Sequence, residues 1–165
     1  LVRHRRMVRA LFIYVGSLVG LLYLYALLGG TSLLDPLLRF NARATGVLLS
    51  AFGSSVQVSG NDILSDALVF RVIEECTNLS AFAIFAAAVL AFPANPSRKL
   101  LGIFLGFVAL SAINLVRITS LVYIGLAFPV ALDVAHLLVW QSIMVIVSVM
   151  LWLLWVRRYG YHGSA

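Results

Sequence analysis

Residues 100–128 read LLGIFLGFVALSAINLVRITSLVYIGLAF, an apolar run interrupted only by Asn114, Arg117 and small hydroxyl residues. A helix needs about 20 predominantly apolar residues to cross a bilayer. The run is therefore long enough to cross a membrane, and we predict a span over residues 100–126. Its charged residue then lies within the span, where charge is costly and by default indicates function.

The composition places the whole chain in the same class. Of its 165 residues, 62% are hydrophobic and 11% are charged, and the mean hydropathy is +1.05. A soluble domain of this size would need many more polar side chains to cover its surface. We therefore predict an all-α integral membrane protein, a four-span helical bundle that forms a single membrane domain over residues 1–165.

The cysteine count and the net charge exclude several classes of function. A single cysteine excludes an intramolecular disulfide, a CxxC redox pair and a thiolate-rich metal site, so we expect no metal and no cofactor. The formal net charge of +6 would suggest nucleic acid as a partner of a soluble protein. In a membrane protein these bases are better explained as topology signals and contacts with membrane lipids, so no nucleic-acid partner is expected.

Three further apolar runs predict spans over residues 10–28, 77–92 and 134–156. Basic residues precede the first run, follow the second in a short Pro-rich turn, and follow the last. By the positive-inside rule these segments are cytoplasmic, which puts both termini in the cytoplasm and all six acidic residues on the other side of a cell (inner) membrane. A cleaved signal peptide is the competing interpretation of the first run, which is long for one.

The only long extramembrane segment in this topology is the outer loop, residues 29–75. Apolar residues recur at helical spacing over Leu33–Ala51, with Asp35 as a capping residue and Pro36 at the helix start. This pattern predicts an amphipathic helix lying in the membrane interface.

The second half of the outer loop contains two β-prone runs, residues 56–58 and 67–73. They are separated by a Ser-Gly-Asn-Asp turn signal at residues 59–62. We expect a short β-hairpin there, which is stable only if it packs on another element.

Three chemically notable residues on three different predicted spans come to the same depth. At the helical rise of about 1.5 Å per residue, Cys76 lies about 25 Å above the cytoplasmic edge, Arg117 about 27 Å and His136 about 31 Å. The hydrocarbon core is about 30 Å thick. All three are therefore expected together at the extracytoplasmic face.

Cys76 has two interpretations. Membrane spans often carry a free cysteine that acts only as a small hydrophobic residue. Here, however, the sequence Cys76-Thr77-Asn78 stands where a helix is expected to begin, and a helix N-terminus lowers the pKa of a thiol. Glu74 and Glu75 would raise that pKa unless a nearby cation compensates their negative charges.

Arg117 and His136 have alternatives as well. The arginine can extend to the lipid headgroups, but Ser111, Asn114 and Ser120 continue a polar stripe at helical spacing that should face the bundle interior. A histidine at the end of a span is often only an interfacial residue.

Asp133 precedes His136 by one helical turn and lies on the same face, so it can orient the ring. Together a cysteine, a histidine and an arginine supply an acyl-transfer site: a nucleophile, a proton donor for the leaving amine and a cation for the oxyanion. One cysteine and one histidine make only half of a metal site.

Three short motifs surround these residues. Glu75-Cys76-Thr77-Asn78 opens one span, residues 114–118 (Asn-Leu-Val-Arg-Ile) lie late in the next, and residues 133–136 (Asp-Val-Ala-His) open the last. In order and spacing they resemble the motifs of the exosortase/archaeosortase family of membrane cysteine transpeptidases. The similarity extends from about Val56 to Trp155, and the short chain resembles the compact, single-domain members such as exosortase H. Asn78 departs from the family pattern, which usually has a small residue, often glycine, at that position.

The resemblance implies a sorting enzyme. Its substrate would be an exported protein with a C-terminal motif, a transmembrane helix and a basic tail, cleaved outside the membrane through a thioester on Cys76. A lipid or glycan acceptor would then receive the protein, whereas transfer to water would make the enzyme a protease.

The resemblance also implies a role for each residue. Arg117 would stabilise the thiolate or the oxyanion, and His136 would protonate the departing amine. The residues expected to support these three are Asn114, Asp133, Glu75, Thr77 and Asn78.

A hypothesis from another class is a non-catalytic membrane scaffold or carrier that binds an anionic head group through Arg117 and His136. Cys76 distinguishes the two hypotheses, because a carrier has no need of a thiol.

Overall fold

The computed structural model describes residues 2–65 and 68–160. Asp66 and Ala67, which belong to the predicted acidic side and to the second β-prone run, lie outside the described residues. The helices and strands are α1 (Val2–Leu28), α2 (Asp35–Ala51), β1 (Gln57–Ser59), β2 (Asp62–Leu64), β3 (Val69–Arg71), α3 (Leu79–Ala91), α4 (Pro96–Ala127), α5 (Leu132–Val134) and α6 (Gln141–Trp155). A 3-10 turn covers Glu74–Cys76 and another covers Pro129–Ala131, and π-helical segments cover Ala135–Trp140 and Val156–Gly160.

The predicted helical membrane class is confirmed. Among the described residues, three helical segments are long and apolar enough to cross a bilayer, with mean hydropathies of 2.1, 2.0 and 2.3: His4–Leu28, Pro96–Ala127 and Pro129–Tyr159. Helix α3 is also apolar but has 13 residues, which corresponds to about 20 Å. The four-span count and the orientation of the chain remain predictions.

The chain divides into two compact units. One consists of the described parts of Leu1–Leu27, Leu79–Leu110 and Met144–Ala165, and the other of Leu28–Asn78 and Ser111–Ile143. Helix α4 contributes its first half to one unit and its second half to the other.

Two glycines allow close packing in the first unit. A Cβ atom at Gly106 would collide with the ring of Phe85, and one at Gly102 would collide with Trp155. The two glycines are four residues apart, which is the small-residue spacing that lets membrane helices approach closely. The hydroxyl of Ser148 adds a buried hydrogen bond to the Ala81 carbonyl, at 3.0 Å.

In the second unit, α2 occupies most of the segment predicted as an amphipathic helix. One face is buried, at positions three, four and seven residues apart: Leu38, Asn41, Ala42, Thr45, Gly46 and Leu49. The expectation that Asp35 caps this helix is wrong, because Leu34 occupies the N-cap position and no side chain caps it. The carboxylate of Asp35 instead lies 3.6 Å from Arg39, one turn along the helix.

The predicted two-stranded hairpin is also wrong, because the segment forms a three-stranded antiparallel sheet in the order β1-β2-β3. The chain turns back at once through Gly60-Asn61, where the glycine has a φ of +66°, so Asp62–Leu64 becomes a strand between the two predicted ones. Val58 pairs with Ile63, and Ile63 with Phe70.

These three paired residues share one face of the sheet, and this face packs on the core of the second unit. The buried members of that core are Leu38, Ala42, Leu49, Ile63, Val72, Cys76, Ile118 and Val122. The sheet thus has the packing partner that so short a set of strands needs.

Candidate active site

Cys76 ends a tight 3-10 turn in the second unit. Its N–H donates to the Ile73 carbonyl at 2.9 Å, and the N–H and hydroxyl of Thr77 both donate to the Glu74 carbonyl, at 2.9 and 2.7 Å. The thiol residue is 3% exposed. Helix α3 begins at Leu79, directly after Cys76-Thr77-Asn78, so the thiol lies in the turn before the helix and not in its first turn.

Side chains of the polar stripe on α4 donate hydrogen bonds to backbone carbonyls of this turn. The side-chain amide of Asn114 donates to the Cys76 carbonyl at 2.8 Å, and Nη2 of Arg117 donates to the Glu75 carbonyl at 3.1 Å. Asn114 is fully buried and Arg117 is 3% exposed. The second half of α4 therefore positions the Glu74–Cys76 turn by hydrogen bonds to two consecutive carbonyls.

Asn78 also bonds to the polar stripe, at Ser111, which lies about one turn before Asn114 on α4. Its side-chain amide donates to the Ser111 hydroxyl at 3.1 Å, and the residue is 1% exposed. A glycine at this position would lack this hydrogen bond. In this chain the larger residue therefore adds a third link between the turn and the polar stripe.

His136 reaches Cys76 from the π-helical segment Ala135–Trp140. Its Nε2 atom lies 4.0 Å from the Cys76 sulfur, and the tautomer of the ring decides which of the two atoms is the donor. Single π-helical turns inside α-helices occur frequently at functional sites. No apolar periodicity in the sequence distinguishes this segment from an ordinary α-helix.

Asp133 lies at the same site, but it does not hydrogen-bond to the His136 ring as predicted. It lines the cavity beside His136, and the hydrogen bonds of the described residues include none between its carboxylate and the ring. The role of Asp133 in orienting His136 stays a prediction.

The electrostatic surroundings of Cys76 differ from those expected at a helix N-terminus. Burial raises the pKa of the thiol above its ordinary value. The Ile73 backbone and the Arg117 cation act in the opposite direction, and the Glu75 carboxylate raises the pKa further. The net shift is upward, so the neutral thiol is the resting form near neutral pH.

A cavity of about 250 Å³ opens on the cysteine and the histidine. Its lining includes both of them, the residues before and within β3, and apolar side chains of α4 and α5. The lining residues are Leu68, Val69, Phe70, Arg71, Ile73, Cys76, Leu121, Leu132, Asp133 and His136.

The sequence did not predict that β3 lines this cavity. A β-prone run indicates a strand, but it carries no signal that the strand borders a site.

A family model described as transmembrane exosortase matches residues 2–156. The matched range includes Cys76, Arg117 and His136. No curated protein and no solved structure matches the chain.

Proposed function

Since the chain belongs to the transmembrane exosortase family, we propose that it is a membrane cysteine transpeptidase that cleaves the C-terminal sorting signal of exported proteins. The observation that carries this proposal is the 4.0 Å approach of the Cys76 sulfur to His136 Nε2 beside a cavity. A buried thiol, an imidazole and a guanidinium at one place are the parts that acyl transfer needs.

The first step is attack by the sulfur on the scissile carbonyl. Because the resting thiol is neutral, His136 Nε2 accepts its proton as the new C–S bond forms, which requires the imidazole to carry its own proton on Nδ1. The tetrahedral intermediate then collapses as the C–N bond breaks. The same proton passes from His136 to the departing amine and leaves a thioester on Cys76.

Arg117 stabilises the negative charge that develops in this step. Its cation already opposes the effect of burial on the pKa of the thiol, so its field reaches the sulfur. The same field favours an anionic sulfur or an oxyanion more than the neutral starting state, which is the condition for catalysis. The hydrogen bond to the Glu75 carbonyl supports this position of the guanidinium.

Transfer completes the reaction. The amine or hydroxyl of a lipid or glycan acceptor attacks the thioester carbonyl, the C–S bond breaks, and the thiol recovers a proton. Water in place of the acceptor gives hydrolysis.

We propose the corresponding topology. The helices α1, α3, α4 and α6 cross the membrane with both termini in the cytoplasm and the active site at the extracytoplasmic face. The 13 residues of α3 cover about 20 Å of a core about 30 Å thick. The nucleophile turn, Glu74–Cys76, lies beyond the extracytoplasmic end of this helix.

Replacement of the nucleophile tests the function. Cys76→Ala is expected to abolish processing of a co-expressed exported reporter that carries a C-terminal motif, a transmembrane helix and a basic tail. Cys76→Ser, which keeps a hydroxyl in place of the thiol, is the matched variant and should process the reporter much more slowly, because an unactivated hydroxyl is a far weaker nucleophile than a thiol. Both proteins should still insert in the membrane.

Full processing by Cys76→Ala would exclude the enzyme and leave the scaffold or carrier hypothesis.

A further inference from the structure

Strand β3 is an edge of the sheet and borders the active-site cavity. The strand order β1-β2-β3 leaves one side of β3 without a neighbouring strand among the described residues. Val69, Phe70 and Arg71 line the cavity that also contains Cys76 and His136. An unpaired strand edge therefore lies beside the nucleophile.

The hydrogen bonds at the two ends of the β2-β3 pairing show which backbone groups of β3 face β2, and the remaining groups face the open edge. The N–H of Val72 donates to the Asn61 carbonyl at 2.9 Å, and the N–H of Ser65 donates to the Leu68 carbonyl at 3.0 Å. In an antiparallel pair, alternate residues direct both their N–H and their C=O to the same neighbour. The even-numbered residues of this segment thus face β2.

It follows that the backbone N–H and C=O groups of Val69 and Arg71 face the open edge. The side chain of Phe70 packs against the core, whereas Val69 is 57% exposed. The core on which Phe70 packs includes Cys76 itself. The edge and the nucleophile are therefore held by the same packed cluster.

We propose that this edge binds the extended substrate segment beside the scissile bond as a fourth strand, through the backbone of Val69 and Arg71. The inference rests on the proposed function. An exposed edge gives affinity through main-chain hydrogen bonds that do not depend on side chains, and neighbouring pockets select alternate side chains. The three residues of β3 extend about 10 Å, enough to pair with three substrate residues.

Cysteine cross-linking tests the pairing without catalysis. The chain has one cysteine, so Cys76→Ala leaves a cysteine-free background. Val69→Cys is placed in that background, and single cysteines are introduced in turn at successive positions of the reporter beside the scissile bond. We expect disulfides at every second reporter position, because alternate residues of a strand lie on the same face.

The matched control is Val47→Cys in the same background. Val47 is a valine of α2 with 69% exposure, and it does not line the cavity. It should form no periodic cross-links. Cross-links to Val69→Cys at every third or fourth reporter position, or none at all, would overturn the proposed strand pairing.

A second pair of variants tests the edge hydrogen bond with Cys76 present. Val69→Pro removes the outward N–H while leaving the β2 ladder intact, since that N–H does not face β2. Val69→Thr keeps the N–H and is expected to process the reporter about tenfold faster than Val69→Pro, the effect of one lost hydrogen bond. Equal rates would also overturn the edge-binding inference.

The two proposals fail in different ways. Absence of Cys76-dependent processing together with alternating cross-links would reject the enzyme and retain the binding edge. Processing that requires Cys76, without alternating cross-links, would retain the enzyme and reject the binding edge.

Discussion

The reactivity of Cys76 depends on opposing effects from its neighbours. Burial favours the neutral thiol, and Arg117 favours the thiolate. A raised pKa means that only a small fraction of the thiol is ionised at neutral pH, so attack depends on transfer of the proton to His136 Nε2. The sequence predicts which residue types meet, but the buried turn determines the sign of the shift.

We expect the rate of Cys76 alkylation by iodoacetamide in detergent to rise with pH to a midpoint above the ordinary thiol value of about 8.5. The thiolate is the reactive form, and its raised pKa moves the curve to higher pH than in the denatured protein. Arg117→Gln should move the midpoint higher still, because the cation is lost, and Arg117→Lys should move it less. A native midpoint at or below that of the denatured protein would contradict the electrostatic explanation.

At the scale of elements, α4 has a separate function in each half. Its N-terminal half carries Gly102 and Gly106, against which large aromatic side chains pack. Its C-terminal half carries the polar stripe that binds the carbonyls of the nucleophile turn. Polar residues at helical spacing predicted that stripe, whereas their partners are backbone groups that no side-chain pattern reveals.

Gly106→Ala is expected to destabilise the protein by about 1–3 kcal/mol, because the added methyl group collides with the Phe85 ring. The matched control is Gly20→Ala in α1, where an added Cβ meets nothing within 4 Å. The control should be neutral or stabilising by up to about 1 kcal/mol, since alanine favours helix more than glycine does. Thermal unfolding in detergent measures both, and equal midpoints would show that the close approach is unimportant.

At the scale of the molecule, the candidate site belongs to one compact unit. The nucleophile turn, the end of α4, the sheet and the π-helical segment all lie within Leu28–Asn78 and Ser111–Ile143. The proposed orientation puts the outer loop and the Pro-rich turn on opposite sides of the membrane.

This orientation is tested by two serine-to-cysteine variants in the Cys76→Ala background. Ser55 lies in the outer loop and Ser97 in the first turn of α4, next to the Pro-rich turn, and both are exposed. An impermeant maleimide should label Ser55→Cys in intact cells, or in spheroplasts where an outer membrane blocks access. Ser97→Cys should be labelled only after permeabilisation, and labelling of both from the same side would refute the proposed topology.

The sequence by itself determined the membrane class and the apolar runs, and it predicted that Cys76, Arg117 and His136 lie at one level. These properties follow from composition, length and helical spacing, which act locally along the chain. Only the tertiary structure decided that α4 side chains donate to the carbonyls of Glu75 and Cys76, that His136 lies in a π-helical segment, and that β3 borders the cavity. Each of these depends on packing between residues far apart in sequence, and local periodicity carries no information about such contacts.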